Sequence, residues 1–463
     1  MTPVSGVGPQ ELVERGLAAA RGDGCVIVVE ESTEANLRWA NNTLTTNGVA
    51  RSRTVTAVSV AGRSAGVVTR QGVATVAEME DLVAESETAA RAAVPAEDAA
   101  PLIGGDATSG DWDAPLDRAD IGIFAAFAPD LGASLERAAR SDQLLYGFAD
   151  YELTTTFLAT SAGSRHRFDQ PTGHVEINAK SGDMGRSAWV GRSTATFRDL
   201  DMESVHDDLE RRLEWARRTV HLDAGRYDTV LPPSAVADLM IPLYWASGAR
   251  AAADGRTVFS RPGGGTRVGE RLTDAALTLR SDPVAPGVGC APFVTARSSG
   301  PSSSVFDNGA PTRPTSWISN GVLGALMQTR YSADLTGLPY TPFIDNLVLD
   351  AADPGGDTNH LVAATDRGLL LTCLWYIREV DPTNLLLTGL SRDGVYLVER
   401  GEVTAAVNNF RFNESPLDLL RRADAVGTTE RTLPREWSDW FTRTAMPPMR
   451  VRDFNMSSVS QAS

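Results

Sequence analysis

The spacing of apolar residues along the chain predicts helices and strands that come in separate runs. Asp201–Val220 has the clearest helical pattern, with an apolar residue every three or four positions and Asp–Arg pairs four apart on the opposite face. Pro9–Ala20, Val76–Val94 and Asp130–Ser141 show weaker helical spacing. Cys25–Val29 is a continuous apolar run, which is typical of a strand buried on both faces.

Most of the remaining pattern is that of short strands. Asn36–Asn47 alternates weakly and ends at Asn47-Gly48, which predicts a hairpin turn. Ser234–Ala249 is different, because it is apolar on nearly all sides and predicts a buried helix. Three of its residues are expected to be structural: Leu239, Leu243 and Trp245. The clearest predicted strands are Tyr151–Thr160, His174–Ala179, Ser187–Gly191, Leu361–Ala364, Gly368–Tyr376, Leu385–Leu390 and Val395–Glu399.

Strands in runs and helices in runs favour an α+β fold over a doubly wound sheet. We expect an N-terminal α/β domain with antiparallel strands and helices, followed by a β-rich, barrel-like or sandwich-like C-terminal domain. The predicted divisions are residues 1–94, a linker or long loop at 95–117, a β-rich and helical part at 118–225, the C-terminal domain at 226–455 and a frayed tail at 456–463.

Composition limits the classes of partner and the compartment. The net charge of −16 argues against a nucleic-acid partner, which requires a basic surface. Cys25, Cys290 and Cys373 are widely spaced and odd in number, so we expect reduced thiols and a cytoplasmic protein. No run of about 18 apolar residues occurs, and this predicts a protein that is not inserted in a membrane.

Motifs for common catalytic chemistries are missing from the sequence. The histidines are not spaced as a helical metal pair, and there is no Gly-x-Ser-x-Gly nucleophile motif or Gly-Lys-Ser/Thr phosphate loop. His174 and His206 remain as candidates for an unrecognised site, although a structural role is favoured for each.

The segment Ser304–Leu323 is unusually polar and rich in turn residues. Its backbone polar groups need partners wherever they are removed from water. The pattern leaves two interpretations open: a surface loop held by its own side chains, or a segment that lines an interface.

A set of motifs in the second half resembles the TldD/PmbA (TldD/TldE) family. Asp307–Thr312 (DNGAPT) is followed by Ile318–Leu323 (ISNGVL), and further on come Gly368–Leu370, Leu397–Val403 (LVERGEV) and Phe410–Asn413 (FRFN). Their order and spacing match the family. The resemblance extends more loosely through the N-terminal half.

The resemblance implies what this chain lacks. TldD-type members carry a His-Glu-x-x-x-His zinc motif on a helix and a later cysteine ligand. Here the corresponding positions are Ile241, Pro242 and Ala246, followed by Ser391 or Arg392. None of these side chains supplies a ligand set for zinc. The chain therefore resembles the TldE (PmbA) type, with no catalytic residue or metal of its own.

For partners, the resemblance implies a TldD-like, zinc-bearing subunit in a heterodimer that degrades or processes unfolded peptides; a homodimer is also compatible with it. The turn-rich segment is the predicted surface for the partner or the peptide. The candidate residues on that surface are Asp307, Asn308, Gly309, Thr312 and Asn320. Two alternatives stay open: an independent hydrolase with a non-zinc site, and an assembly protein with no role in peptide processing.

Overall fold

The computed structural model describes residues 6–105 and 108–460. The helices are α1 Pro9–Ala19, α2 Val76–Ala92, α3 Ala128–Arg140, α4 Met202–Trp215, α5 Pro233–Trp245, α6 Ala249–Ala253, α7 Arg330–Thr336, α8 Thr358–Ala363 and α9 Pro416–Arg422. The strands are β1 Gly24–Ala40, β2 Thr43–Ala61, β3 Ser64–Gln71, β4 Thr108–Ser109, β5 Gln143–Thr160, β6 Arg165–Ser181, β7 Ser187–Thr194, β8 Thr219–Val220, β9 Gly225–Leu231, β10 Leu277–Ser281, β11 Thr315–Ser319, β12 Val322–Leu323, β13 Leu347–Ala351, β14 Arg367–Leu371, β15 Leu374–Asp381, β16 Leu386–Ser391, β17 Val395–Glu399, β18 Glu402–Val407, β19 Phe410–Glu414, β20 Ala423–Val426, β21 Glu430–Thr432, β22 Thr444–Met446 and β23 Met449–Val459.

The N-terminal half is built on one sheet with the order β3-β2-β1-β5-β6, and β4 and β7 both pair with β6. Neighbouring strands are antiparallel except for β4. Along the start of β1, Cys25, Ile27 and Val29 face α1 and α2, whereas Val26 and Val28 face the opposite side. Successive side chains of a strand point to opposite faces, so this apolar run is buried on both sides, as its sequence predicts.

Further along the same sheet, α3 and α4 cover one face. Leu131 and Leu135 of α3 pack with Leu209 and Leu213 of α4 against the apolar residues of β5, β6 and β7. The opposite face of this part of the sheet carries polar residues and looks toward the C-terminal half. The polar face is therefore available for a site.

The C-terminal half is layered around helix α5. One sheet has the order β12-β11-β10-β13-β22-β21, and the larger one runs from β15 through β16, β19, β23, β9, β14 and β17 to β18 and β8. Helix α5 packs in one continuous core with residues of both sheets. The α+β class is thus confirmed, and the C-terminal half is layered, with the order of the larger sheet open at β15 and β8.

Several local predictions are wrong, each for a local reason. The first hairpin turns at Asn41 and Asn42, which both have positive φ, and β2 continues straight through Asn47-Gly48. Residues 358–363, predicted as a strand from 361, form α8, because the side chain of Asp357 caps its first turn.

The tail predicted to fray at 456–463 is ordered through Val459. It belongs to β23, which pairs with β9, β19 and β20 in the larger sheet. Residues 461–463 lie outside the described part of the chain. The segment 95–117 has little regular structure among its described residues, and 106 and 107 lie outside them.

The two halves meet through a buried polar junction. The guanidinium of Arg435 lies over the ring of Trp189, 5.3 Å from its centroid, and over that of Trp375 at 4.1 Å. It also pairs with Glu176 of β6 at 3.2 Å. Among residues 6–105 and 108–460, no helix has the length and apolarity needed to cross a membrane.

Candidate functional site

Helix α5 carries the positions at which the family resemblance places a zinc motif. Ile241 and Pro242 are buried, and Ala246 is half-buried at the C-terminal end of the helix. Pro242 and Ala246 line a small cavity of about 190 Å³ together with four apolar or aromatic residues and one glutamate. The other lining residues are Trp245, Ile377, Glu379, Leu387 and Trp437. A mainly apolar pocket thus lies at the expected position of the metal site.

Pro242 explains part of this packing. A proline has no N–H, so the carbonyl four residues earlier, that of Asp238, receives no helical hydrogen bond from it. The indole N–H of Trp437 donates to that carbonyl at 2.9 Å. Trp437 then packs edge-to-face on Trp245, with ring centroids 5.0 Å apart. The proline therefore creates the acceptor that holds an aromatic wall of the pocket.

The side chain of Asp238 is a second feature of this helix. It is fully buried and accepts the backbone N–H groups of Arg435 and of Glu436, the latter at 2.9 Å. Its other oxygen has no hydrogen-bond partner. Burial raises the pKa of this carboxyl well above its ordinary value. Asp238 holds the 435–437 segment against α5, and its sequence context does not reveal this role.

Of the two positions expected to match the cysteine ligand, Ser391 forms a hydrogen bond within the larger C-terminal sheet. The hydroxyl of Ser391 is buried and accepts the N–H of Phe410 at 2.8 Å, whereas Arg392 is exposed. Cys373, whose carbonyl accepts the N–H of Arg392 at 3.3 Å, is buried, and burial raises the pKa of its thiol, which keeps it protonated. In the described part of the chain, no group of three or more His, Cys, Asp and Glu side chains is arranged to hold a metal ion.

A much larger cleft of about 690 Å³ lies between the polar face of the N-terminal sheet and loops of the C-terminal half. Strands β1, β5 and β6 form its floor. The register places Glu34 opposite Glu152, and Asp150 opposite both Asn36 and His174. The facing loops contribute aromatic side chains: Phe293, Phe343 and Trp440.

The carboxylates of this cleft differ in their pairing. Glu30 pairs with Arg297, and Asp345 pairs with Arg443. Glu34 has a raised pKa, first because it is partly buried and then because Glu152 and Asp150 are close. Burial is also the main cause of the raised pKa of Asp150, although His174 and Arg38 act in the opposite direction. At the centre of the floor, Glu34 therefore lies beside two further carboxylates, and Arg38 and His174 compensate Asp150 in part.

The family model described as the PmbA/TldA metallopeptidase C-terminal domain matches residues 224–458. The chain belongs to the PmbA/TldD family. Its whole fold is similar to that of TldE from Thermococcus kodakarensis, with a TM-score of 0.77 and 16% identity over 96% of this chain and 99% of that one. A proposed modulator of DNA gyrase from Thermotoga maritima MSB8 is similar to the same degree, with a TM-score of 0.77, 18% identity and the same two coverages.

A third structure, a proposed modulator of DNA gyrase from Bacteroides thetaiotaomicron VPI-5482, has a TM-score of 0.73 and 16% identity over 97% of this chain and 98% of its own. No curated protein matches the sequence. At these identities the structural similarities show a shared fold, and the family membership rests on the matched C-terminal domain.

In this PmbA/TldD-family chain, most residues of the Asp307–Thr312 motif lie inside the molecule and not on its surface. Asp307, Asn308, Gly309 and Thr312 are buried within the chain, which argues against their predicted place on a surface for the partner or the peptide. Asp307 pairs with Arg330, its Oδ1 lying 2.6 Å from Nε. The side chain of Asn308 bonds the backbone N–H and carbonyl of Ala296 at 2.6 and 2.9 Å. The motif fixes its own loop, which is the first of the two interpretations.

The residue types at positions 309 and 320 are explained by the backbone conformation at each position. Gly309 has a φ of +82°, and a Cβ there would lie 3.3 Å from Nε2 of His166. Asn320 is exposed and also has positive φ, at the turn between β11 and β12. Of the five predicted surface residues, Asn320 is the one that a partner could reach.

The two candidate histidines have different surroundings. His206 is buried on α4, and burial lowers its pKa, so it is a neutral core residue. His174 lines the cleft in a row with Asp150 on β5 and Ser193 on β7. However, neither Nε2 of His174 nor Oγ of Ser193 has a hydrogen-bond partner. The hydrogen bond that joins a nucleophile to its base is therefore not formed between these two atoms.

Sequence reasoning missed Glu34, Asp150 and Glu152 as members of one site. The available signal was the polar face of two long strands, visible in the alternation of Glu30, Ser32 and Glu34. Which strands are neighbours is decided by the sheet order, and β1 and β5 are far apart in the chain.

Proposed function

We propose that this chain is the non-catalytic, TldE-like subunit of a TldD/TldE-type heterodimeric zinc metallopeptidase that processes unfolded peptides. The observation that carries the proposal is the apolar pocket around Pro242 and Ala246 at the expected metal position. Catalytic zinc needs nitrogen, oxygen or sulfur ligands in a near-tetrahedral arrangement, and these residues do not fit it. The metal and the water it activates therefore belong to the proposed partner.

The cleft supports a peptide-binding role for this subunit. It is concave, it lies between the two halves, and its floor is formed by three long strands with polar side chains. An extended peptide can enter such a cleft and present its side chains to the floor, whereas a folded domain cannot. The proposed substrates are accordingly unfolded segments.

The proposed compartment is the cytoplasm. Cys25, Cys290 and Cys373 are all free and buried. Burial raises the pKa of the Cys25 and Cys290 thiols to about 12. Such thiols are unreactive side chains of the core, which is compatible with a reducing environment.

Reconstitution with a TldD-type relative that carries His-Glu-x-x-x-His tests the proposal. The two chains are purified separately and together, their association is followed on a sizing column, and cleavage of a casein-like unfolded substrate is measured. We expect a complex and cleavage only when both chains are present. Substituting the motif glutamate of the partner should abolish cleavage without preventing association.

Two results would contradict the proposal. Full activity of the zinc-bearing chain alone, without a complex on the column, would remove the role of this subunit. Cleavage by this chain alone in the presence of a chelator would favour an independent hydrolase instead.

A further inference from the structure

The central floor of the cleft has an arrangement that the fold does not require. Glu34 of β1 lies directly opposite Glu152 of β5, and Asp150 lies two residues away on the same face. Directly opposed like charges on neighbouring strands destabilise a sheet by up to about 1 kcal/mol. A polar but neutral pair would serve the sheet better.

Over the whole cleft, carboxylates also outnumber arginines. Six carboxylates and two arginines line it. Glu30 and Asp345 already have arginine partners. Arg38 is the arginine that remains for the other four carboxylates of the lining, which are Glu34, Asp150, Glu152 and Asp439. Its guanidinium lies over the ring of Phe148, 5.6 Å from the centroid.

The size and chemistry of the cleft decide what kind of cation it can take. Among the described residues no group of three or more His, Cys, Asp and Glu side chains is arranged to hold a metal ion. A guanidinium or ammonium group on a flexible stem can reach two carboxylates from separate strands. Phe293, Phe343 and Trp440 on the facing loops offer apolar surface for the stem.

We propose that the cleft selects peptide segments carrying a basic side chain, with Glu34 and Glu152 as the specificity-determining residues. The inference rests on the proposed peptide-binding function and adds the substrate class to it. The basic group would sit between the two opposed carboxylates, with Asp150 as a further negative neighbour. The raised pKa values of Glu34 and Asp150 agree with this geometry, because burial and the neighbouring carboxylates disfavour their charged forms until a cation is bound.

Matched peptides test the proposal on the full-length chain. A fluorescent, unstructured peptide carries one central arginine, and its twin carries citrulline, which has nearly the same shape without the charge. Binding is measured by fluorescence anisotropy at low salt. We expect the arginine peptide to bind about tenfold more tightly, since one charge-assisted contact is worth roughly 1.5 kcal/mol.

The variant Glu34→Gln/Glu152→Gln should bind both peptides equally. Its control, Glu80→Gln/Glu136→Gln, changes net charge by the same amount at exposed positions on α2 and α3 and should keep the preference. Removing two opposed charges should not lower the melting temperature, so a loss of preference cannot be attributed to unfolding.

The outcomes separate this inference from the function it rests on. Equal binding of both peptides to the unmodified chain, or a preference that survives in the cleft variant, overturns the inference and leaves the subunit proposal standing. No binding of either peptide contradicts peptide recognition by this subunit as well. Spermidine that competes as tightly as the arginine peptide would identify the cleft as a site for free amines and overturn the peptide assignment.

Discussion

At the scale of single residues, helix α5 shows how polar groups come to lie in an apolar core. Pro242 leaves the carbonyl of Asp238 without a helical donor, and Trp437 supplies one. The Asp238 carboxyl accepts two backbone N–H groups of the 435–436 segment, which makes its burial tolerable. Pro242, at one of the expected metal positions, thus belongs to a connected packing unit with Asp238 and Trp437.

The buried carboxyl of Asp238 should make stability fall as the pH rises. Its pKa is raised in the folded chain, so above the unfolded pKa of about 3.9 the folded state keeps a proton that the unfolded state has lost. Stability then decreases by up to about 1.4 kcal/mol per pH unit until the folded pKa is reached. Glu436 adds to this effect and Arg435 opposes it.

Asp238→Asn checks this expectation, because it keeps the acceptor oxygen and removes the titration. Denaturant unfolding of both proteins at a series of pH values from 4 to 8 is the measurement. We expect the stability of the variant relative to the unmodified chain to increase with pH. A difference that does not depend on pH would show that Asp238 ionises normally.

Leu243 should be a purely structural residue of the same helix. It is fully buried between the C-terminal sheets, so Leu243→Ala should lower stability by about 2–5 kcal/mol. Trp245, predicted to be structural as well, is 39% exposed and lines the pocket, so Trp245→Ala should cost much less. Thermal and denaturant unfolding compare the two. An unchanged melting temperature for Leu243→Ala would mean that this face of the helix is not packed.

At the scale of elements, the segment 304–323 shows that a dense motif can be internal. Ser304 caps the short helix Val305–Asp307, Asn308 holds the backbone at Ala296, and Asp307 pairs with Arg330 at the start of α7. The motif thereby connects a loop to a helix and to the N-terminal sheet through Val305 and Phe306. The polar and turn-forming residues that make the motif stand out in the sequence are therefore needed to hold the backbone of this segment.

Asp307→Asn should therefore act on stability. It leaves the Arg330 guanidinium without its charge partner in a mostly buried position, and we expect a loss of about 3 kcal/mol. Asn320→Gly, in the same segment, is the matched control, because glycine accepts the positive φ of an exposed turn and should change stability by less than about 0.5 kcal/mol. Equal effects of the two changes in denaturant unfolding would contradict the internal role of the motif.

At the scale of the whole molecule, the two halves are joined at several places around the cleft. Arg435 connects the C-terminal half to Trp189 and Glu176 of the N-terminal sheet, and Arg431 pairs with Asp199. On the other side, Val26 and Val28 of β1 pack with Phe293 and Phe306. Contacts on both sides hold the cleft open at a defined width.

Metal analysis of the whole chain tests the reading of helix α5. Purified without chelators and dialysed, the protein should retain no stoichiometric zinc, because Ile241, Pro242 and Ala246 offer no ligand atoms in their side chains. A TldD-type relative treated in parallel is the control and should keep its metal. About one zinc per chain surviving dialysis would contradict the TldE-like assignment.

Local pattern was sufficient for some parts of this protein. The burial of Cys25–Val29 on both faces and the lack of ligand side chains at 241, 242 and 246 can be read from neighbouring residues. So can the buried helix, which the pattern predicts at 234–249 and which ends earlier, at Trp245. Each depends on chemistry within a few positions of the chain, where apolar spacing and side-chain type decide the outcome.

Other features depend on residues far apart in the chain, and only the tertiary structure decided them. The opposition of Glu34 and Glu152 follows from the pairing of β1 with β5, and the burial of Asp307 follows from the position of Arg330. The polar tail becomes strand β23 because β9, β19 and β20 offer it hydrogen-bond partners. A strand's partners and the groups that face its side chains are set by the whole fold, which a local pattern does not contain.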